Sequence, residues 1–440
     1  MSTRRGAVTY WLLIALLVLV LTPTSDYAGA YNGRVIDART KRPIDSAFVT
    51  LNETVVRTDY DGKFSITGVG EKIGVRAYGY ARAELATALA VSAPPQIELV
   101  PFQPKALYLS FFGIGSSTLR GGALNLIGGT ELNALVIDVK GDRGMIPYKS
   151  AIPLAAQAGA QSLMTVKDAG ALMKELHQRR IYTIARIVVF KDNPLATARS
   201  DCAVKTRSGA LWHDRENLAW TDPFNKEVWN YNIAIAVEAA KLGFDEIQFD
   251  YVRFPDRLDL VYAKPNTMHN RIAAISGFLA EARRRLAPYN VFLDADIFGY
   301  VCWNLDDTKI GQRIEDLVLQ VDYVSPMLYP SCFQFGIPGY RNPVQHPHEI
   351  VYLSLKRARD RTDLPAMRFR PWLQAFRDYA FGGKPFRGHE IRTQINAAEK
   401  FGSDGWMLWN PHNVYSGAGL RGGGSDSPTA DEQATFRCAP

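Results

Sequence analysis

From residue 104 onward, short apolar runs alternate with stretches in which apolar residues recur every three or four positions. A short apolar run bounded by turn residues predicts a buried strand, and the longer spacing predicts an amphipathic helix. The strands fall at 106–112, 133–140, 182–190, 245–250, 291–298, 322–329, 368–376 and 404–410. Helices between them include 166–179, 224–242, 268–287, 309–319, 346–360 and 388–401. This alternation predicts an α/β chain whose strands close into a parallel (β/α)8 TIM barrel. An open doubly wound sheet is the alternative, but no glycine-rich phosphate loop follows the first strand.

The stretch 31–102 is patterned differently. Short β-branched runs at 32–37, 47–51, 54–58, 63–66, 72–77 and 96–100 alternate with turn residues, and Asp61-Gly62 marks a tight turn. A helical period first appears at 81–92. The pattern predicts a small all-β sandwich of about seven strands. Ahead of it, Arg4 and Arg5 precede an apolar core at 9–22, and Ala28-Gly29-Ala30 offers a small-residue cleavage site. That order predicts a secretory signal peptide over 1–30. The other reading is an uncleaved N-terminal anchor, for which about 14 apolar residues fall short of the roughly 20 a span needs. Either reading puts the body of the protein outside the cytoplasm, secreted or periplasmic, with 9–22 as its tether to the inner membrane if uncleaved. The expected organisation is therefore leader 1–30, sandwich 31–102, barrel 103–412, and a glycine-rich, polar, flexible tail 413–440.

Composition narrows the function. With 51 basic and 44 acidic residues the net charge is +7, spread along the chain without a basic block. That excludes a nucleic-acid partner and favours solubility or attraction to an anionic envelope. The four cysteines, Cys202, Cys302, Cys332 and Cys438, lack the paired spacing of a zinc site. An oxidising compartment permits disulfides, and Cys302 with Cys332, each after a strand end, is the favoured pair of three pairings. Only His346 and His348 lie close together, and neither an H-x-x-x-H helix nor a G-x-S-x-G elbow occurs. No metal and no cofactor is expected.

The candidate chemistry collects at strand ends, where such barrels place their sites. Strand two ends in Asp138, strand three carries Arg186, strand four ends at Asp250, and strand five carries Asp294 and Asp296. Tyr329, Gln374, Trp409 and Asn410 follow on strands six to eight. Period-two alternation puts Glu246, Gln248 and Asp250 on one face of strand four, and Phe292, Asp294 and Asp296 on one face of strand five. A buried carboxylate without a partner is costly, so inward acids gathered at one rim suit catalysis better than packing. Two carboxyls on neighbouring strands can protonate a leaving glycosidic oxygen and attack, or activate water, at the sugar carbon. Asp250 is the expected nucleophile or base and Asp296 the expected acid, with Asp294 its rival. Asp138, Arg186, Gln248, Tyr251, Arg253, Asp294, Tyr329, Gln374, Trp409 and Asn410 are the expected substrate contacts. Trp212, Trp220, Trp303 and Trp372 are further candidates for stacking on sugar. For any one acid the competing reading is a structural ion pair, with Arg186 and Arg253 as partners.

Two resemblances sharpen this. GRVIDARTKRPIDSAFVTL, VRTDYDGKFSITGV and VRAYGYARAE resemble the carboxypeptidase regulatory-like domain, a transthyretin-type sandwich, which implies an accessory or adhesive module with an envelope partner. VIDVKGDRG, IARIVVFKD, WTDPFNKEVWNYN, GFDEIQFDYVRFP, DADIFGY, DYVSPMLYPS and GWMLWNP resemble a bacterial glycosyl hydrolase family of TIM-barrel type. That resemblance implies a carbohydrate substrate. GFDEIQFDYVRFP is also similar to the strand-four motif of chitinase-type barrels, whose catalytic Glu would fall at Val252, which puts acetamido-assisted catalysis in doubt. The expected function is hydrolysis of a poly- or oligosaccharide. The alternative is a barrel that binds carbohydrate in envelope polysaccharide assembly without cleaving it.

Overall fold

The computed structural model describes residues 29–90 and 94–423. Residues 1–28, with the 9–22 core of the expected leader, therefore lie outside the described residues, as does Cys438, while Gly29 and Ala30 open the first strand. Among the described residues, no helix is long and apolar enough to cross a membrane.

Seven short strands form the N-terminal unit: β1 Gly29–Asp37, β2 Phe48–Leu51, β3 Thr54–Arg57, β4 Lys63–Gly68, β5 Lys72–Arg76, β6 Ala83–Ala86 and β7 Gln96–Leu99. They make a three-stranded sheet, β4-β1-β7, and a four-stranded sheet, β3-β2-β5-β6. Val35, Val49, Phe64, Ile66, Ile73, Val75 and Leu99 share its core. The Asp61-Gly62 turn joins β3 to β4, with Gly62 at φ 74° and an added Cβ there only 2.3 Å from the Val35 carbonyl. The helical period at 81–92 resolves into strand β6 followed by one turn, Thr87–Ala90.

Eight parallel strands follow: β8 Lys105–Leu109, β9 Ala134–Lys140, β10 Tyr182–Val188, β11 Glu246–Asp250, β12 Phe292–Phe298, β13 Tyr323–Met327, β14 Trp372–Gln374 and β15 Trp406–Trp409. They close into a barrel in chain order, β15 pairing with β8. Outward residues such as Leu107, Ile137, Ile187, Phe249 and Leu293 bury against the helices in one large core. The helix Met268–Leu286 is representative. Thr267 caps it by accepting from the Asn270 N–H, Ile275, Phe278 and Leu279 face the barrel, and Arg283, Arg284 and Arg285 close it where the helix dipole favours cations.

Three expectations change. A helix at Ser117–Gly129, capped by Ser116, fills the first crossover; its four glycines blur the apolar period. The stretch 309–319 keeps only the turn Ile314–Leu317. There the Asp307 carboxylate gathers the Lys309 and Gly311 N–H groups, with Thr308 and Lys309 left-handed at φ 54° and 59°. The tail expectation fails over 413–423. Asn413 is buried, its Oδ1 accepting from the Ser110 Oγ at 2.6 Å and the Ser110 N–H at 3.0 Å, and Thr130 bridges to Gly422.

The sandwich sits under the barrel. Arg82 reaches Asp245 at 3.1 Å and the carbonyls of Gly243 and Phe244 at 3.3 Å each. Asn290 donates to the Ala83 carbonyl at 3.0 Å, Arg76 faces Asp322 at 3.7 Å, and the Tyr78 ring meets Tyr323 edge-on at 5.8 Å. Asp245, Asn290 and Asp322 lie just before β11, β12 and β13, so this contact seals the N-terminal end of the barrel. The opposite rim is left for a site.

The Cys302–Cys332 pairing is corrected: both thiols are free. Cys302 is wholly buried between the barrel and its helices, whereas Cys332 lies 3.1 Å from the Tyr379 hydroxyl.

Candidate active site

Alternation along the strands sends every second side chain into the barrel, and here the interior is polar in tiers. In the tier nearest the sandwich, Arg370 holds Glu246 at 2.6 Å and Asp404 at 3.1 Å, and the Tyr182 hydroxyl donates to Glu246 at 2.9 Å. Above it, Gln248 Nε2 and Ser325 Oγ donate to Asp294 Oδ2 at 2.7 and 2.6 Å. Gln248 and Asp294 are therefore brought together, but one tier below the rim and without exposure.

The uppermost tier holds Asp138, Arg186, Asp250 and Asp296. One guanidinium organises it. Arg186 Nη1 donates to Asp138 Oδ1 at 2.6 Å, and Nη2 donates to Asp250 Oδ2 at 2.6 Å and to Asp142 Oδ1 at 2.7 Å. Its Nε also donates to Asp250 Oδ2, at 3.0 Å. Asp138 receives further bonds from the Tyr108 hydroxyl at 2.8 Å and the Phe111 N–H at 3.0 Å. Burial nevertheless pushes Asp138 up to about 6, against the pull of Arg186 and with help from Asp142. Asp142, just past the end of β9 and outside the expected contacts, joins the set through Arg186. Its side chain is 39% exposed, against 7% for Asp250.

Asp296 is set differently. The ladder pairs Gln248 with Asp294 and Phe249 with Ala295, so the next step places Asp250 beside Asp296 on the adjoining strand. Trp372 Nε1 donates to Asp296 Oδ1 at 2.6 Å, while Oδ2 is buried with no hydrogen-bond partner. Burial, then the charges of Asp250 and Asp294, hold the Asp296 carboxyl well above the usual carboxylate range. Tyr329, buried nearby, is likewise raised by burial and by Asp296. The tier thus pairs a carboxyl fixed by a cation with one that burial and neighbouring charges push toward its protonated form.

The chain turns sharply after Asp250. Tyr251 is left-handed at φ 48°, and its N–H returns to Asp250 Oδ1 at 2.5 Å. The turn ends the alternation. Val252 is buried in the outer core, away from the barrel mouth. Tyr251 packs edge-on to Trp220 at 5.6 Å, and Arg253 lies over both rings, at 5.0 Å from Trp220 and 5.2 Å from Tyr251. Asp214 pins this wall, accepting from Trp220 Nε1 at 2.9 Å and facing Lys191 at 3.4 Å. The segment 191–222 thereby lines one side of the rim.

Other expected contacts fall out. Gln374 spends its amide on Ser331 Oγ, the Phe376 carbonyl and the Ser331 N–H, and Asn410 spends its own on the Ala375 and Val414 carbonyls and the His412 N–H. Both are structural, because each braces a loop. Trp212, Trp220 and Trp372 are buried, and Trp303 is bonded to Ser354. Trp409 is half-buried, stacked 3.9 Å from Tyr108 with Arg186 over its ring at 4.9 Å. The large exposed rings at the rim are instead Phe112, in the short helix Phe111–Gly115, and Phe335 and Tyr379 in loops, the last two 89% and 63% exposed. A rim aromatic in a long loop carries no periodicity by which to find it.

Among the described residues, one cluster has metal-ligating types, Asp201, Cys202 and Glu227. Arg199 occupies it, bonding to both carboxylates at 2.7–2.9 Å.

A closed (β/α)8 barrel with carboxyls gathered on neighbouring strands at its C-terminal rim defines the class. The chain belongs to the family described as "Putative glycosyl hydrolase domain", whose model matches residues 106–415. Among solved structures, the PgaB (BpsB) glycoside hydrolase domain from Bordetella bronchiseptica is similar in fold, at TM-score 0.53 and 15% identity over 71% of this chain and 95% of its own. A hypothetical protein from Ruminiclostridium thermocellum is 39% identical over 43% of this chain and 96% of its own, at TM-score 0.39. A chitinase from Chromobacterium violaceum is 11% identical over 69% of this chain and 93% of its own, at TM-score 0.43. No curated protein matches the chain.

Proposed function

We propose that the protein hydrolyses a glycosidic bond of a poly- or oligosaccharide outside the cytoplasm. The observation that carries this reading is the contrast between two neighbouring carboxyls: Asp250 bonded to Arg186, and Asp296 buried, held by Trp372 through one oxygen and unbonded at the other. In the reaction, Asp296 gives its proton to the leaving oxygen as the bond to the sugar carbon breaks. Asp250 attacks that carbon or takes a proton from the attacking water, and stabilises the oxocarbenium-like centre. Arg186 orients Asp250, and Trp372 orients Asp296. Tyr251, Arg253, Tyr329 and Trp409 are the substrate contacts of this reading.

The sandwich fits an accessory module of carboxypeptidase regulatory-like type, and the leader fits a secreted or periplasmic protein, tethered through 9–22 if uncleaved. A second reading, carbohydrate binding without cleavage, is favoured by the near-complete burial of Asp296 and by the apolar Val252. Reducing-sugar release from a panel of polysaccharides separates the two. The hydrolase reading expects release by the wild type and its loss in Asp250→Asn with binding retained. Binding without release by the wild type selects the second reading, and normal turnover by the variant removes Asp250 from the mechanism.

A further inference from the structure

Resting on the reading of this rim as a sugar site, the geometry points to Arg253 as the element that recognises an anionic group on the sugar bound beside Asp250. The group is a carboxylate, a sulfate or a phosphate.

The arginine of the upper tier is saturated: Arg186 meets three carboxylates. Arg253, three residues beyond Asp250, is not. Among the described residues it has no ion-pair partner, and its one hydrogen bond is from Nη1 to the Phe254 carbonyl at 2.9 Å. Yet it is neither loose nor buried. Its guanidinium lies over the rings of Trp220 and Tyr251, and the residue is half-buried with none of its nitrogens shut away unbonded. Stacking on aromatic faces fixes a guanidinium plane while leaving its edge free to donate. A free, oriented fork of N–H groups matches a planar carboxylate or a phosphate-like oxyanion in bidentate fashion.

Its foundations are equally fixed. Trp220 is held by Asp214 through its indole N–H, and Tyr251 by the left-handed turn at the end of β11. Lys191, the neighbouring cation over the Tyr251 ring, is neutralised by Asp214 and Glu216. Arg253 is therefore the uncompensated, preorganised positive charge in this wall. The tier itself leaves little room for an anion at its centre, because Asp142 and Asp250 already share Arg186. The geometry puts the anionic substituent on the Trp220–Tyr251 side, away from the reacting bond.

The test is affinity electrophoresis of the full chain in gels carrying neutral, carboxymethylated, sulfated or phosphorylated polymer, each on cellulose and dextran backbones. The wild type should be retarded more by at least one class of anionic polymer than by its neutral parent, and the class shows which oxyanion is read. Arg253→Gln should cut that preference about tenfold or more, since hydrogen bonds to charged groups carry at least that factor. Arg253→Lys, which keeps the charge but not the fork, should recover part of it. Equal retardation by charged and neutral polymers, no retardation by the charged ones, or the same preference in Arg253→Gln would overturn the proposal. The readout is binding, so it stands apart from turnover: anion-selective binding without sugar release leaves Arg253 as assigned and removes the hydrolase reading. Sugar release from neutral polymer, unaltered in preference by Arg253→Gln, does the reverse.

Discussion

Replacing Arg186 with Met tests the electrostatics of the rim most fully. The side chain is 1% exposed and bonds to three carboxylates, two of them almost buried. Removing one member of a buried pair costs about 3–5 kcal/mol, because a charge is left uncompensated. Asp142 adds little, since an exposed pair is worth about 1 kcal/mol or less. The remaining cost divides between Asp250, which keeps the Tyr251 N–H, and Asp138, which keeps Tyr108 and Phe111. Asp138 also sets a pH dependence. Its folded value of about 6 lies above the ordinary 3.8, so between those values the folded state binds more protons than the unfolded chain. Stability from this group is present at low pH and lost as pH rises through that window, by about 3 kcal/mol in all. Without Arg186 the group moves further up, and the loss extends to higher pH. Urea unfolding followed by tryptophan fluorescence should therefore show Arg186→Met destabilised by several kcal/mol near pH 8 and by clearly less near pH 5. A variant as stable as wild type near pH 8, or one hurt more near pH 5, refutes the reasoning.

Other expectations follow from the same contacts. Asp296→Asn mimics the protonated acid and still accepts from Trp372, so it should melt no lower than wild type, with an advantage that grows as pH rises, while sugar release is lost. Arg82→Ala cuts the bond to Asp245 and two carbonyl contacts under the barrel, which should cost about 2–3 kcal/mol in a denaturant melt; an unchanged midpoint would mean the sandwich and barrel are energetically independent. Because Cys302 and Cys332 are not joined, a Cys438→Ser chain should react with three equivalents of thiol reagent when unfolded without reductant.

The barrel was legible because burial on both faces writes each strand as an apolar run, and eight such runs separated by helical periods leave few topologies. The inward direction of Asp250, Asp294 and Asp296 was legible for the same reason, since period two persists as long as the ladder does. It stops where the ladder stops. Tyr251 turns left-handed, so nothing in the spacing tells that Val252 leaves the mouth, and register shifts in β9 after Asp138, next to the loop that brings Asp142 to Arg186. Gln374 and Asn410 occupy strand ends as a ligand-binding amide would, but an amide bracing a loop has the same sequence signature. The exclusivity of Arg186 was also hidden, because pairing among four acids and two arginines is decided by side-chain reach across four strands.

The account turns on which of two adjacent carboxyls holds a proton. Infrared difference spectroscopy of wild type against Asp296→Asn near neutral pH reads this directly, without a substrate. The predicted difference is the loss of one protonated-carboxyl C=O band, with the carboxylate bands unchanged. Loss of a carboxylate band instead would mean that Asp296 is ionised beside Asp250, and the division of labour between them would fall.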